Sequence, residues 1–546
     1  MQGQLPTRAE RFAALGAPPR EFDLLVIGGG ITGCGIAREA ALRGLTVALV
    51  EKSDFASGTS SRSSRLIHGG VRYLEHGQIR LVFESSAERR RLLQLAPHLV
   101  RPLAFTWPVY SGARIPRWKL GVGLTAYDAL ALFRNVRRHR RLSPSDVLAR
   151  EPSLARSGLR GGALYYDAAT DDARLTLANA IGASERGAVV LNHARARSFI
   201  VRDGRVAGAR VEDELTQLAV DVRASIVVNA TGPWSDVLRA LDASSHAASG
   251  PKGVRGSKGT HIAIPRERIG NHDALTLLSP VDGRVMFVLP AGALAIVGTT
   301  DTFTTAPPDE VRASAEDVAY LLATANGFFP DAKLTTSDVV AAWAGIRPLI
   351  PSKGDTPGAA SREHAVTVSA ARLVSISGGK LTTYRVMAAD VLRVVCRALR
   401  RPFVAERTMA LPGGDIESYD ELVAEISEEI GDASPAPHLA GSYGSRWRGV
   451  WSEILADGGA DTPLVDGLPY TLGELRYCAR NEMACTLGDL LIRRTKIAFE
   501  TRDHGASIAE RVAAGVADVL EWGEPEMRAS LAAYANEVSR IFAIEP

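Results

Sequence analysis

Three glycines and one acidic residue form the first pattern in the chain that predicts chemistry. Gly28, Gly30 and Gly33 follow an apolar run over residues 22–27, and Glu51 ends the next apolar run. This strand–turn–helix–strand pattern is typical of a dinucleotide site, because the glycines permit a tight turn, close approach to a diphosphate and close helix packing. A carboxylate at Glu51 would accept hydrogen bonds from ribose hydroxyls and repel a 2′-phosphate, which disfavours NADP. The alternative is a tight strand–helix turn without a ligand.

The polar segment that follows, residues 52–77, is the next candidate. It is rich in serine, threonine and glycine, and its last part contains His68, Arg72 and Tyr73. Because it leaves the same strand end as Glu51, we expect it to run across the dinucleotide and to offer hydroxyls and backbone amides. An ordinary surface loop is the alternative.

Two further glycine turns are expected to reach the same sheet. Residues 224–236 predict a buried strand ending in an Asn-Ala-Thr-Gly turn, where Gly232 lets the chain pass close to a cofactor. Residues 375–399 predict a strand that stops at a Gly-Gly pair, followed by a long helix capped by Thr382 and Thr383. That helix start is another place to receive an anionic group.

The composition sets the limits on this interpretation. A chain of 546 residues exceeds one hydrophobic core, so two or three domains are expected. Hydrophobic content of 46% and charged content of 23% fit a globular protein, and a net charge of +3 gives no reason to expect a nucleic-acid partner. Four cysteines without CxxC spacing indicate neither a metal site nor disulfides. We expect no membrane span and no signal peptide.

Strands outside the nucleotide-binding pattern alternate apolar and polar residues, which predicts antiparallel pairing. Residues 194–213 and 215–228 are expected to pair around an Asp-Gly turn at 203–204. Residues 251–304 and 338–351 predict a second, antiparallel sheet.

The remainder of the chain favours helices. A helix with exposed arginines is predicted over residues 79–96. Beyond Leu411-Pro412 nearly all of the chain is expected to be helical and to form an interaction or oligomerisation cap. The cap helices are predicted over residues 417–430, 447–456, 471–497 and, in pieces, 505–541.

Two basic segments leave alternatives open. Residues 7–15 predict an amphipathic helix that either packs on the domain or touches a membrane surface. The arginine-rich run at 134–141 is either a solvated face or a patch for lipid headgroups.

The motifs, taken in order, resemble those of the FAD-dependent glycerol-3-phosphate dehydrogenases. The shared motifs are GGGITGCGIA, TSSRSSRLIHGGVRYLE, DDARL, NATGPW, KGTHIAIP, GTTD, GIRPL and SGGKLTTYR, dense over residues 20–410 and looser beyond. HGGVRYLE and SGGKLTTYR are specific to this family, whereas the glycine motif and ATG occur in flavoproteins generally.

The resemblance implies an α/β fold. It consists of a Rossmann-like FAD-binding domain, interleaved with a mainly antiparallel β-sheet substrate domain as in D-amino-acid-oxidase-like flavoproteins, plus an all-α C-terminal domain. The expected division is an N-terminal extension (1–21), the FAD-binding domain (22–84, 160–240 and 365–404), the substrate domain (85–159 and 241–364) and the cap (411–546).

The resemblance also implies FAD, held without a covalent bond. Arg65 stands where the family often has lysine, in a segment expected to contact FAD through its backbone. The residues assigned to the cofactor are Gly28, Gly30, Thr32, Gly33, Glu51, Thr59, Ser60, Ser64, His68, Gly69, Gly232, Gly379, Leu381 and Thr382.

The implied substrate, sn-glycerol 3-phosphate, is a dianion with a secondary alcohol. Its site needs fixed cations for the phosphate and a base for the C2 hydroxyl. By similarity, Arg72, Tyr73 and Lys380 would clamp the substrate, and Arg347 and His261 would face the reacting carbon.

Three of the candidate residues have competing interpretations. His261 is favoured as the base because a neutral imidazole accepts a proton near pH 7, but it is alternatively a strand histidine bonded to a carbonyl. Arg362 is a further substrate contact or a charge on a surface loop. His68 suits the flavin lining better than the role of base.

The family resemblance implies oxidation of the substrate to dihydroxyacetone phosphate, with electrons passing from FAD to a membrane quinone. It also implies a protein bound peripherally to the cytoplasmic face of the cell membrane, often as a homodimer. A glycerol-3-phosphate oxidase using oxygen is an alternative, although residues 265–340 show no obvious extra insertion of the kind family oxidases often carry. A non-catalytic FAD-binding scaffold is another alternative. An amine or 2-hydroxy-acid oxidase would not explain the cations.

Overall fold

A computed structural model describes residues 5–17, 21–132, 135–241, 253–351, 362–404, 409–456 and 462–546. The first residues of the N-terminal extension and the start of the basic run at 134 lie outside these ranges. Within them, no helix combines the length and the apolarity that crossing a bilayer requires.

The first sheet is built around the glycine turn. Its strands are β1 (Phe22–Ile27), β2 (Val47–Val50), β7 (Val189–Leu191), β8 (Ala194–Arg202), β9 (Arg205–Asp213), β10 (Ala219–Asn229), β17 (His364–Val368) and β18 (Val374–Gly378). The order is β17–β18–β10–β1–β2–β7. The contacts from β18 to β7 are parallel, so the carboxyl ends of these five strands lie at one edge of the sheet.

The predicted nucleotide-binding unit is confirmed as secondary structure. β1 matches its predicted residues, and helix α2 (Ile31–Leu42) follows the glycine turn before Gly44 at φ +78°. The predicted hairpin between β8 and β9 is also confirmed, with Asp203 at φ +50° and Gly204 at φ +71°.

The second sheet is mainly antiparallel, as predicted. Its strands are β3 (Leu66–Ile67), β4 (Val100–Tyr110), β5 (Arg140–Leu142), β6 (Leu159–Thr170), β11 (Arg255–Pro265), β12 (Ala274–Leu278), β13 (Val285–Ala291), β14 (Leu294–Gly298), β15 (Thr302–Thr304) and β16 (Ala341–Leu349). β6 pairs with β4 along nearly its whole length. The FAD-binding domain was expected to resume at residue 160. Because β6 belongs to the second sheet, the elements of the first sheet resume only after residue 170.

Helices cover both sheets. They are α1 (Arg8–Gly16), α3 (Ile79–Leu95), α4 (Arg117–Leu130), α5 (Pro144–Arg150), α6 (Asp172–Ser184), α7 (Ser235–Arg239), α8 (Arg266–Ile269), α9 (Ala315–Phe328) and α10 (Tyr384–Ala398). α1 packs on β7 and β10 and buries Leu15, and its Arg8 pairs with Asp213 at 3.0 Å.

The predicted exposure of the α3 arginines is confirmed for Arg80 and Arg91, but Arg90 is half-buried and Arg89 is buried. Arg89 is buried, because its guanidinium pairs with Asp167 and donates to the Tyr127 hydroxyl at 2.8 Å. A buried arginine is tolerated when an acid and hydrogen-bond acceptors surround it.

The cap is helical as predicted, with one correction. Its helices are α11 (Tyr419–Ile430), α12 (Ala436–Tyr443), α13 (Trp447–Ala456), α14 (Leu472–Asn481), α15 (Ile497–Glu500), α16 (Ala506–Val516) and α17 (Glu524–Phe542). The single helix expected over 471–497 is broken after α14. Met483 adopts φ +58°, and Asp489 accepts hydrogen bonds from the amides of Cys485 and Thr486 before a π-helical turn at Asp489–Arg494.

Candidate active site

The strand-end turns of the first sheet meet the second sheet around a cavity of about 650 Å³. Two of the twenty residues expected at the cofactor and substrate, Gly33 and Gly69, do not line it. Those that do are Gly28, Gly30, Thr32, Glu51, Thr59, Ser60, Ser64, His68, Arg72, Tyr73, Gly232, His261, Arg347, Arg362, Gly379, Lys380, Leu381 and Thr382.

The glycine turn is too tight for side chains. Gly28 has φ +113°, and a Cβ added there would lie 2.7 Å from the carbonyl oxygen of Ala230. A Cβ on Gly33 would lie 1.8 Å from the carbonyl oxygen of Gly28, so Gly33 serves helix packing rather than the cavity wall. The open turn at the N-terminus of α2 fits the diphosphate of FAD.

Glu51 is held in place at the edge of the cavity. Its carboxylate accepts hydrogen bonds from the amides of Gly29 at 2.6 Å and Ser53 at 2.9 Å. Burial raises the pKa of Glu51, and the two amide donors act against that rise. The side chain can accept further hydrogen bonds, as a ribose contact requires.

The polar segment after Glu51 lines the cavity instead of forming a detached surface loop. Ser60 accepts a hydrogen bond from the amide of Ile31 at 3.0 Å, and Thr59 donates to the carbonyl of Ile346 at 2.7 Å. These two bonds tie the segment to the start of α2 and to β16.

The threonines after the Gly-Gly pair act differently from the expected helix caps. Thr383 precedes α10, but its side chain makes no capping bond to the helix. Thr382 instead bonds the backbone of His68, accepting from its amide at 3.2 Å and donating to its carbonyl at 3.3 Å. Burial, and then the charge of Lys380, lowers the pKa of His68 to about 4, which keeps this ring neutral.

Three residues expected at the substrate lie together at one end of the cavity. The Lys380 ammonium lies 4.5 Å from the centre of the Tyr73 ring, and the Arg72 guanidinium lies 5.7 Å from it. The Lys380 ammonium is buried, and no residue that the structure describes accepts a hydrogen bond from it; burial lowers its pKa. Burial opposes ionisation of Tyr73, but Lys380 and Arg72 lower its pKa overall. A buried, unpartnered ammonium in a cavity favours an anionic ligand.

Two arginines share one acid at the neighbouring wall. Asp301 accepts from Arg347 at 3.3 Å and from Arg362 at 3.1 Å, and it also bonds the Ser257 hydroxyl. Arg362 is only 6% exposed, so its interpretation as a surface charge is wrong. Burial, partly offset by Asp301, lowers the pKa of Arg347 to about 10, so this guanidinium remains charged at neutral pH.

His261 lies on β11 beside these cations. Its ring stacks on Trp343 with 5.6 Å between centroids, and Nε2 lies 2.8 Å from the Ser64 hydroxyl. Nδ1 is buried and forms no hydrogen bond within the described part of the chain, so the interpretation as a histidine bonded to a carbonyl is not supported. Burial, and then Arg347, lowers the pKa of His261 to about 3, which leaves the imidazole neutral.

Gly69 and Arg65 belong to the segment that lines the cavity but do not line it themselves. Gly69 donates its amide to Asp167 at 3.1 Å, and a Cβ there would meet the Tyr127 hydroxyl at 2.3 Å, so Gly69 serves packing. Arg65 places its guanidinium 5.0 Å from the Phe499 ring of the cap.

Sequence reasoning missed several charged residues at this site, among them Arg62, Asp301 and Arg540. In the sequence, Asp301 is the end of a strand motif, Arg62 is one residue of a polar run, and Arg540 lies in the cap. Arg62, Asp301 and Arg540 all line the cavity. Arg540 gives no local signal, because it reaches the site only through the docking of the last helix.

Comparison with known families divides the chain at the boundary between the sheets and the cap. A family model described as FAD dependent oxidoreductase matches residues 23–385. A second model, described as the C-terminal domain of alpha-glycerophosphate oxidase, matches residues 405–527.

Individual relatives match nearly the whole chain. An aerobic glycerol-3-phosphate dehydrogenase of Staphylococcus saprophyticus is 37% identical over 89% of this chain and 88% of its own. A glycerol-3-phosphate dehydrogenase 2 of Mycobacterium bovis is 39% identical over 97% of this chain and 90% of its own. The crystal structure of the Bacillus halodurans glycerol-3-phosphate dehydrogenase, complexed with FAD, is 33% identical, has a TM-score of 0.81 and covers 98% of this chain and 97% of that one.

Proposed function

The chain belongs to the FAD-dependent glycerol-3-phosphate dehydrogenases, and on that premise we propose that its cavity oxidises sn-glycerol 3-phosphate at C2 to dihydroxyacetone phosphate. The observation that carries the proposal is the meeting of four cations with a neutral imidazole in the cavity that the glycine turn also lines. The cations are Arg72, Arg347, Arg362 and Lys380.

The cations bind and orient the substrate, and the histidine accepts its proton. Arg72 and Lys380, with the Tyr73 hydroxyl, bind the phosphate, because arginine and lysine satisfy a dianion that burial would otherwise penalise. Arg347 orients the C2 oxygen, and His261 accepts the hydroxyl proton as the C2 hydrogen leaves with its electron pair. Bound FAD supplies the acceptor for that hydride.

His261 suits this role in one tautomer. If Nε2–H donates to Ser64, Nδ1 is the unprotonated nitrogen, and it makes no hydrogen bond to any described residue. Its low pKa keeps the imidazole unprotonated at neutral pH, and a bound substrate dianion would raise that pKa toward the range that a general base needs.

The proposed electron acceptor is a quinone held at a membrane surface on the cytoplasmic side. Support comes from exposed apolar side chains on α3, which follows the turn carrying Arg72 and Tyr73, and on α4, which contacts both that turn and α3. Exposed fractions reach 69% for Trp118 and 57% for Ile79. We define the α3–α4 surface as the exposed apolar side chains of these two helices and of the segment that follows α4. They are Ile79, Phe83, Trp118, Val122, Leu132 and Val136.

Positive charge accompanies the α3–α4 surface. Residues 111–141 contain eight lysines and arginines and a single acidic residue, Asp128. Asp128 is buried and lies 2.7 Å from Nδ1 of His139, so it does not offset the exposed cations. Apolar side chains among cations suit a bilayer with anionic headgroups. This favours a lipid-soluble acceptor over oxygen.

The acceptor experiment separates the dehydrogenase from the oxidase. The FAD-loaded protein is reduced anaerobically with sn-glycerol 3-phosphate and then mixed with a soluble quinone analogue or with air-saturated buffer. We expect fast return of the oxidised flavin spectrum with the quinone and slow return in air. Fast return in air with stoichiometric peroxide would establish the oxidase instead.

The Arg72→Ala variant separates an enzyme from a scaffold. Loss of one charged phosphate contact, worth about 1.5–3 kcal/mol, should raise the substrate KM by about tenfold to a hundredfold while FAD stays bound. An unchanged KM in a protein that retains FAD would contradict the assigned substrate position.

A further inference from the structure

Arg62 is the buried cation of the cavity that the reaction does not use. It ends the short turn at Thr59–Ser61 and is 9% exposed. Its Nη2 donates to the carbonyl of Ser57 at 3.3 Å, and its Nε is buried and has no hydrogen-bond partner among the described residues. Arg62 forms no ion pair with any described residue, although burying a guanidinium without an anion costs free energy.

Burial and a second guanidinium nearby both disfavour the charge of Arg62. Burial, and then the nearby charge of Arg540, lowers its pKa to about 10, so it stays charged at neutral pH. Arg540 itself pairs with Glu537 at 3.5 Å and lies 3.8 Å from Asp309, so its charge is already partly balanced. Glu537 and Asp309 also act on the charge of Arg62, but within the described residues neither forms an ion pair with it.

The Arg62 side chain belongs to the same segment that meets the start of α2. Ser60, two residues earlier, bonds the amide of Ile31 in the first turn of that helix. On the other side, the Arg62 backbone packs against Gly345 of β16, where an added Cβ would lie 3.0 Å from the Arg62 carbonyl oxygen. The segment is therefore fixed at both ends, and Arg62 and Ile31 line one cavity.

We propose that Arg62 binds the diphosphate of FAD from the side opposite the glycine turn, and so supplies the cationic partner that the turn lacks. The glycine turn offers backbone N–H groups, which carry only partial charge. A guanidinium adds a full charge and two parallel donors to the same anion. The inference rests on FAD as the cofactor and is independent of the substrate and the electron acceptor.

The test measures FAD binding rather than turnover. Full-length apoprotein is titrated with FAD at several potassium chloride concentrations, and Kd is read from the quenching of flavin fluorescence. For Arg62→Gln we expect Kd to rise by about tenfold to a hundredfold and to depend less steeply on salt, because one charged contact is gone. Arg62→Lys should recover part of the affinity and most of the salt dependence.

Competition by ADP identifies the part of FAD that Arg62 contacts. ADP carries the diphosphate without the flavin, so Arg62→Gln should weaken ADP competition as much as it weakens FAD. Arg65→Gln is the matched control, since Arg65 is in the same segment but faces Phe499 and not the cavity. It should leave the salt dependence of FAD binding unchanged.

Three results would overturn the proposal. The first is an Arg62→Gln protein whose FAD Kd and salt dependence match the wild type. The second is a loss of FAD affinity with unchanged ADP competition, which would place Arg62 at the flavin. The third is an equal change in salt dependence in Arg65→Gln, which would make the effect one of general charge. Circular dichroism of each apoprotein identifies variants that fail to fold.

Discussion

At the scale of single residues, the site depends on charge balance inside a closed space. Four cations suit a dianionic substrate, but four unbalanced cations would repel one another in its absence. Asp301 reduces that repulsion by bridging Arg347 and Arg362. Burial opposes ionisation of Asp301, yet the two arginines hold its pKa below the ordinary value. Asp301 is therefore a positioning residue rather than a substrate contact.

The Asp301→Asn variant should show whether Asp301 positions the two arginines or affects the attraction of the phosphate to the site. Without the carboxylate, Arg347 and Arg362 lose their common anchor, and we expect kcat to fall by about tenfold to a hundredfold, as for a small misplacement of a catalytic group. Competitive inhibition by inorganic phosphate should stay as strong or become stronger, because a negative charge has left the site. Steady-state kinetics with phosphate inhibition measures both.

A different pattern in Asp301→Asn would contradict this account. Weaker phosphate inhibition with unchanged kcat would mean that Asp301 acts on affinity alone. The flavin spectrum of the variant provides the control, since FAD should remain bound.

At the scale of elements, the sequence did not predict that the cap packs against the polar segment after Glu51. Asp54, three residues after Glu51, is fully buried and accepts from Arg493 at 2.7 Å and from Arg494 at 2.6 Å. Both arginines belong to the π-helical turn that interrupts the predicted cap helix. The break therefore places two consecutive arginines on one carboxylate, which ties the cap to the wall of the cavity.

Local patterns predicted most of the strands and the turns between them. The glycine turn, the Asp203-Gly204 hairpin and the alternating strands of the second sheet all follow from nearest-neighbour chemistry. The sequence could not reveal pairings across hundreds of residues, such as Arg540 at the cavity. Nor could the sequence reveal that Arg362, although it lies in a loop, is buried and forms an ion pair with Asp301, because burial depends on tertiary contacts.

A buried histidine beneath the cap gives the interface a pH dependence. His98 is 2% exposed and lies against Gly413 and Gly444, which begin the cap and follow α12. Burial, and then Arg174, lowers the pKa of His98 to about 3 in the folded protein. The unfolded chain binds a proton at about pH 6.5. This contribution to stability is present above pH 6.5 and is lost as the pH falls toward 3.

His98→Gln should flatten the pH dependence of stability. Between pH 7 and pH 5 the wild type should lose about 2 kcal/mol of unfolding free energy through this one group, and the variant should not. Urea unfolding at the two pH values measures the difference. His261 and His68 titrate in the same direction and are common to both proteins, so only the difference reports on His98. Equal losses would show that His98 is protonated in the fold.

At the scale of the whole molecule, we propose that the α3–α4 surface is the side of the protein that faces a membrane. Burying a large apolar side chain contributes about 1.5–3 kcal/mol, so two or three such side chains with surrounding cations suffice for reversible attachment. Because the preceding turn carries Arg72 and Tyr73, attachment there would bring the substrate end of the cavity toward the bilayer.

The double variant Trp118→Ser with Val122→Ser should bind lipid at least about tenfold more weakly, because it removes the two most exposed apolar groups of α4. Co-sedimentation with vesicles of phosphatidylcholine and phosphatidylglycerol measures this binding, which added salt should also weaken. Leu218→Ser is the control, since Leu218 is 59% exposed but precedes β10 on the first sheet. Equal binding by the double variant and the wild type would exclude the α3–α4 surface.

The measurement that tests the central claim most directly is anaerobic reduction of the FAD-loaded protein. We expect rapid loss of the oxidised flavin absorbance with sn-glycerol 3-phosphate and little change with its mirror image, sn-glycerol 1-phosphate. His261→Gln should slow the loss by about a hundredfold or more, as expected for removal of a general base. Protein that holds FAD but keeps its oxidised spectrum with sn-glycerol 3-phosphate would contradict the proposed reaction.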